Sequence, residues 1–247
     1  MDLSEVRTSV ARHPWETARA NAILRILHGA RVEPQAILDY GCGDGFTGER
    51  VRTVLGAARL LGLDIELSDE QCASRSNGVV TYANDWSRAP GGTFDLCLMC
   101  DVIEHVPNDQ VLLRDVRAHL GDAGYVLITV PAFQALFTSH DRALRHFRRY
   151  SLGQLEGSVR SAGFDLVGSG YLFASLLPAR GAAKLVESVK PRPESQDFGI
   201  GGWKGSPLLT RTLETVLGLD STVMLGLASL GLKPPGLSAW ALCKKRP

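Results

Sequence analysis

Residues 36–48, Ala-Ile-Leu-Asp-Tyr-Gly-Cys-Gly-Asp-Gly-Phe-Thr-Gly, constrain the fold of this chain more than any other stretch. An apolar run of strand type ends at Asp39 and Tyr40. Gly41, Gly43 and Gly45 then alternate with other residues before a helical pattern resumes, which predicts a strand, a tight turn and a helix start. Glycine suits such a turn because its backbone reaches angles that side chains forbid, and because a ligand can approach bare main chain. A dinucleotide turn, Gly-x-Gly-x-x-Gly, would need glycine at position 46, where the chain has Phe46.

Similar alternation of strands and helices runs through the chain. Residues 14–28 read as an amphipathic helix with Pro14 in its first turn. Residues 47–55 continue as a helix after the glycine turn, and 59–64 form a second strand that ends at Asp64. Residues 79–83 make a third strand and 94–100 a fourth. Residues 111–120 read as a helix, 121–124 as a turn and 125–130 as a buried strand stopped by Pro131. Ser151 opens another helix with Gln154 three positions on, and Gly163 closes it. Residues 164–170 form a sixth strand and 237–243 the last. This order argues for a parallel, doubly wound α/β sheet.

Two segments carry a family resemblance. Asp39-x-Gly41-x-Gly43-x-Gly45 resembles the first motif of the class I S-adenosylmethionine-dependent methyltransferases. Independently, Phe94-Asp-x-x-x-x-x-Asp101-Val-Ile-Glu-His105-Val resembles the fourth-strand segment of small-molecule methyltransferases related to those of ubiquinone biosynthesis. A third stretch, with Pro131-Ala, His140-Asp141, His146 and Arg148-Arg149-Tyr150, is similar to a bacterial branch associated with polysaccharide and natural-product pathways. The resemblance covers residues 13–170 well. It implies a Rossmann-like, seven-stranded sheet with helices on both faces and an antiparallel last strand.

It also implies S-adenosylmethionine as cofactor, contacted by Asp39, Gly41, Cys42, Gly43, Gly45, Asp64, Ile65, Asp85, Trp86, Cys100 and Asp101. The helix before the first strand closes over the cofactor in that family, which adds Trp15 and Arg19, the latter toward the methionine carboxylate. Packing for Trp15 and solvation for Arg19 is the alternative. Asp64 lies 21 positions after Gly43, close to the ~20-residue offset at which an acid meets ribose hydroxyls. Asp64 as a cap for the following turn is its other reading. Asp85 and Trp86 are the adenine candidates.

Methyl transfer from a sulfonium requires alignment, exclusion of water and, for a hydroxyl acceptor, removal of a proton. Ligands of open α/β sheets bind beyond the strands' carboxyl ends, so a base is sought after strands four and five. His140 is the first candidate, oriented by Asp141 or another acid, since a neutral imidazole near pKa ~6.5 accepts a proton at neutral pH. His105 and His146 follow. The alternative is that these histidines only tie the loop together. Arg142, Arg145 and Arg149 either hold an anionic substrate or form a solvated helix face, the second being favoured for Arg142 and Arg145.

The 247 residues carry 27 basic and 26 acidic side chains, a formal charge of +1, so no global field favours nucleic acid. Five cysteines fit reduced thiols in a cytoplasm. Cys97 and Cys100 lie in a strand-like run that points them to opposite faces, so no metal site is expected there. Met1-Asp-Leu-Ser-Glu lacks the pattern of a signal peptide, and no apolar run reaches the ~20 residues of a membrane span.

The main departure from a minimal fold is the interval of roughly 65 residues between Gly170 and Leu237, longer than ordinary loops. It predicts a helical insertion at 171–235 beside a core of 1–170 plus 236–247. The insertion reads as a helix broken at Pro178, a Pro- and Gly-rich loop or lid at 190–207, and an apolar stretch at 208–232. That stretch could serve as a substrate cover or a homodimer face. The function expected is O-methylation of a small molecule, such as a sugar or secondary metabolite. The alternatives are N- or C-methylation and a non-catalytic binding protein on the same fold.

Overall fold

The computed structural model describes residues 12–189 and 203–247. The 190–202 part of the expected lid and the first eleven residues lie outside them. The chain in order forms α1 (Pro14–Gly29), β1 (Ala36–Tyr40), α2 (Phe46–Leu55), β2 (Arg59–Leu63), α3 (Asp69–Arg75), β3 (Val80–Ala83) and β4 (Phe94–Cys100). There follow α4 (Asp109–His119), β5 (Leu120–Pro131), α5 (Ser139–Ala143), α6 (Leu152–Ser161), β6 (Phe164–Leu172), α7 (Leu177–Val189), α8 (Pro207–Ser229) and β7 (Ser238–Lys245).

The seven strands lie in the order β3-β2-β1-β4-β5-β7-β6, and β7 runs antiparallel to both its neighbours while the other pairings are parallel. Strand β1 reads as an apolar run because both sides of the sheet are covered. Leu38, paired with Leu61 and Cys97, faces Leu113, Val116, Leu155 and Val159 of α4 and α6. Ile37, Leu98 and Leu242 face the other way, toward Ala22, Ile23 and Leu27 of α1, Val51 of α2 and Leu217 of α8. Cys97 and Cys100 fall into these two different cores, as the strand alternation requires.

Chain order reverses at β1, whose neighbours are β2 on one side and β4 on the other. Such a switch point leaves a crevice beyond the strands' carboxyl ends, here between Tyr40-Gly41 and Cys100-Asp101.

Three local readings differ from the sequence-based ones. The 121–124 turn is absorbed into β5, which begins with Leu120 paired to Phe94 across a register shift. Pro178 does not break α7 but sits in its first turn, where its missing N–H costs no bond. The short helices α3 and α5 were not apparent, because neither has the length for a periodic apolar face; α3 buries no side chain.

Both helices of the 171–235 interval pack on the rest of the chain. Helix α8 buries Leu217, Ser221 and Met224, and Ser221 Oγ accepts from Arg25 of α1 at 3.0 Å. From α7, Arg180 reaches Asp141 at 2.6 Å, Lys184 donates to the Phe137 carbonyl at 2.6 Å, and Glu187 accepts the Ser139 N–H at 2.8 Å.

Candidate active site

The glycine turn is shaped by its surroundings. Gly41, Gly43 and Gly45 have φ of 69°, 54° and 79°, where side chains are strained. A Cβ on Gly41 would lie 2.7 Å from Val102, and one on Gly45 would lie 1.9 Å from the Tyr82 hydroxyl. Tyr82 is held there by Glu49. Beneath the turn, Asp39 is buried and accepts the Gly48 N–H at 3.1 Å, tying the start of α2 to the end of β1.

Burial pushes the Asp39 carboxyl from its usual range up to about 7. A raised carboxyl pKa favours the neutral form in the folded state, so this contribution to stability is present at low pH and lost as pH rises through about 7. Asp39→Asn retains an oxygen for Gly48 and removes that loss. Thermal unfolding of the unliganded protein should show the variant ahead by about 2–4 kcal/mol at pH 8 and near parity at pH 4. Parallel stability curves would contradict it.

Two cavities open at the switch point. The first, about 220 Å³, is lined by Tyr40, Gly41, Leu63, Asp64, Ile65, Glu66, Val102 and Leu112, with Asp101, His105, Val106, Leu144 and Arg145 completing it. Asp64 Oδ2 accepts the Gly43 N–H at 2.8 Å and Oδ1 the Glu66 N–H at 3.0 Å. Its carboxylate therefore both cross-links the turn and presents its remaining lone pairs to the cavity. Ile65 is 86% exposed, an uncovered apolar wall of the kind a planar ring system would cover.

The second cavity, about 330 Å³, shares Asp101, His105 and Leu144 with the first. Its other walls include Trp15 and Arg19 of α1, Glu104, His140, Asp141, His146, Arg149, and Leu176, Arg180, Leu213 and Leu217 from the 171–235 interval. Arg19 is 4% exposed, so it is no solvated residue. It pairs with Asp101, lies 4.5 Å over the Trp15 ring, and has a buried Nε without a hydrogen-bond partner among the described residues. Asp101 is itself held at φ 57°.

Asp141 organises the far wall. Fully buried, it accepts from the Thr138 N–H at 2.8 Å, His146 Nδ1 at 3.1 Å, Arg149 Nε at 2.7 Å and Arg180 at 2.6 Å. Burial alone would raise its carboxyl, but the His146 and Arg149 bonds hold it well below the usual range. Among the described residues, the imidazole bonded to Asp141 is therefore that of His146. Asp141 closes the first turn of α5 and faces inward, toward His146 and the arginines. His140 is instead pushed down to about 4, first by burial and then by the Arg180 charge. Its imidazole is neutral at pH 7, but a weaker base than the reference group.

The remaining site residues read from the sequence line neither cavity. Asp39 and Cys42 sit beneath the turn, Gly43 and Gly45 shape it, and Cys100 is buried in the core behind Asp101. Asp85 is exposed and accepts the Ser87 N–H at 2.7 Å, capping its own short turn. Trp86 stacks on His119 at 3.8 Å and donates to Asp115 at 3.2 Å. Both adenine candidates are thus engaged away from the cavity, whose apolar wall is Ile65, Val102 and Leu112. Arg142 and Arg145 are exposed as favoured, while Arg149 is buried on Asp141. Glu104 is the residue that sequence reasoning passed over, although it stands between Asp101 and His105 in a segment singled out for other reasons.

A seven-stranded sheet of this order with a glycine turn at its switch point defines the class I methyltransferase fold. A family model described as a methyltransferase domain matches residues 15–169, and the chain belongs to that family. It is an S-adenosylmethionine-dependent methyltransferase. Solved structures agree in fold. The 1,6-didemethyltoxoflavin-N1-methyltransferase of Burkholderia thailandensis, with 1,6-didemethyltoxoflavin and S-adenosylhomocysteine bound, is 17% identical at TM-score 0.55, over 94% of this chain and 81% of that one. The N-methyltransferase NodS of Bradyrhizobium japonicum, in complex with S-adenosylhomocysteine, is 11% identical at TM-score 0.55, over 95% and 89%. The [4+2]-cyclase SpnF is 17% identical at TM-score 0.55, over 97% and 84%. No curated protein sequence matches the chain.

The residues present suit the cofactor. The turn leaves bare main chain at Gly41, Asp64 offers lone pairs for a ribose diol, and the Arg19 Nε offers a donor for a carboxylate. Among the described residues no helix is long and apolar enough to cross a membrane.

Proposed function

We propose that the protein methylates a hydroxyl of a small molecule, with the first cavity holding S-adenosylmethionine and the second holding the acceptor. The observation that carries this reading is the shared wall. The two cavities meet at Asp101, His105 and Leu144, so a ligand in each would touch along that line. When bound, S-adenosylmethionine supplies a methyl group: the acceptor oxygen's lone pair forms the new C–O bond as the C–S bond breaks, its electron pair staying on sulfur.

The chain's part is to hold and shield. Asp64 and the bare turn would fix the nucleoside, and Arg19, aligned by Asp101 and Trp15, would fix the carboxylate. Leu176, Leu213 and Leu217 exclude water from the acceptor side. These residues support reading 171–235 as a substrate cover rather than a dimer face. His140 lines the same cavity as a neutral imidazole that takes the hydroxyl proton. The four buried thiols and the half-buried Cys72 suit a reducing cytoplasm, and the charge balance suits a small acceptor rather than nucleic acid.

The sugar or secondary-metabolite acceptor is a reading from resemblance; N-methylation is supported by two fold neighbours that are N-methyltransferases. Incubation with methyl-labelled S-adenosylmethionine and matched hydroxyl and amine acceptors separates these outcomes. His140→Ala should leave S-adenosylhomocysteine affinity within about twofold and lower kcat by about 10²–10⁴. Full turnover in that variant would remove His140 from the chemistry. Absence of S-adenosylhomocysteine binding in the unaltered protein would refute the cofactor placement altogether.

A further inference from the structure

Methyl transfer as described leaves one group on the acceptor side without a task. Glu104 is fully buried and lines the second cavity, yet neither carboxylate oxygen has a hydrogen-bond partner among the described residues. Buried carboxylates are ordinarily paired or bound to a cation, because an ionised group without a partner is costly by several kcal/mol. The guanidinium groups lining the same cavity are committed elsewhere, Arg19 to Asp101 and both Arg149 and Arg180 to Asp141.

Two imidazoles stand beside it. His105 is the next residue, and its ring meets that of His146 edge-on with centroids 4.6 Å apart. One potential ligand atom from each of Glu104, His105 and His146 lies within 4.8 Å of the other two. Atoms bound to one ion at ~2.1 Å each can be no more than ~4.2 Å apart, so small rotamer adjustments would close the set. His146 is also prepared for such a role. Its Nδ1 is bonded to Asp141 Oδ1 at 3.1 Å, which leaves Nε2 to offer a lone pair. A carboxylate behind a ligating histidine is the usual support that fixes ring orientation and raises ligand basicity.

We propose that Glu104, His105 and His146 form a binding site for a divalent transition-metal cation such as zinc or cobalt. Two imidazoles with one carboxylate favour such ions over magnesium or calcium, which prefer all-oxygen sets. Three protein ligands leave coordination positions open to the cavity. An ion there would hold an acceptor oxygen and acidify its hydroxyl, which offsets the weakness of His140 as a base. Two guanidinium groups on the single Asp141 carboxylate leave surplus positive charge around a bound ion. A deprotonated acceptor with two adjacent oxygen donors, a catechol, diol or hydroxy acid, would neutralise it. This acceptor class rests on the function proposed above; binding of the ion does not.

The test is titration of chelator-treated, full-length protein with Co²⁺, followed by its visible d–d absorption, with Zn²⁺ as competitor. One equivalent should bind with a Kd of about 10 µM or tighter, and Glu104→Gln should weaken it at least tenfold while changing S-adenosylhomocysteine affinity less than twofold. Glu104→Gln keeps the side chain's shape but replaces a buried carboxyl, so its folding is checked by thermal unfolding. Zn²⁺ at a hundred times the unaltered protein's Kd should raise its Tm by about 5–10 °C and that of the folded variant by no more than about half as much. No stoichiometric uptake, or uptake equal in Glu104→Gln, overturns the site. Cobalt binding without S-adenosylhomocysteine binding would uphold the ion site and overturn the methyl-transfer arrangement.

Discussion

Asp64→Ala should weaken S-adenosylhomocysteine binding by about thirty- to several-hundred-fold, or roughly 2–4 kcal/mol, measured calorimetrically. The size follows from the carboxylate's two tasks. It would accept bonds from a vicinal diol at charge-assisted strength, and it already accepts the Gly43 N–H at 2.8 Å. Losing the second lets the turn relax, so part of the loss is disorder of the cradle itself. Asp64→Asn tells the parts apart, since an amide oxygen can keep Gly43 while presenting a weaker, uncharged acceptor to the sugar. The asparagine variant should recover about half of the lost binding energy and nearly all of the lost Tm. Unchanged affinity in Asp64→Ala would refute the ribose assignment.

For stability, the largest single effect should come from Asp141→Ala, about 3–5 kcal/mol, seen as a Tm lower by about 6–20 °C. The carboxylate is fully buried and is bonded to two guanidinium groups, an imidazole and the Thr138 backbone. Its removal leaves Arg149 6% exposed and unneutralised, and cuts one of the links by which α7 is held to the segment after β5. The pair need not be a net gain over an apolar substitute; the penalty comes from stranding the cations. Asp141→Ala combined with Arg180→Met should therefore be less destabilised than Asp141→Ala alone. A loss below 1 kcal/mol would show that water reaches the arginines and that this wall is looser than its hydrogen bonds indicate.

How much was legible beforehand can be followed residue by residue. Strands β1 and β4 were clear because burial on both sides forces continuous apolar runs, and the turn between β1 and α2 was clear because only glycine tolerates its φ values. Asp64 was singled out by its offset along the chain, which the βαβ unit converts into a fixed position in space, here on the wall of the first cavity. The direction of Trp86 was not legible because an aromatic residue after β3 can turn toward the cofactor or toward α4. His119, far off in sequence, supplied the stacking partner that decided it. Which imidazole Asp141 would hold was hidden for a similar reason: neighbours on a short helix point in different directions, and the carboxylate lies with the arginines and His146.

The pattern along the chain by itself determined the sheet, its switch point and the glycine cradle, since all three depend on local backbone preference and on periodic burial. Tertiary packing alone decided that Glu104 lacks a hydrogen-bond partner among the described residues, that Asp141 holds His146, and that α7 and α8 wall the second cavity. Those outcomes depend on contacts between residues tens of positions apart, where no local preference reaches.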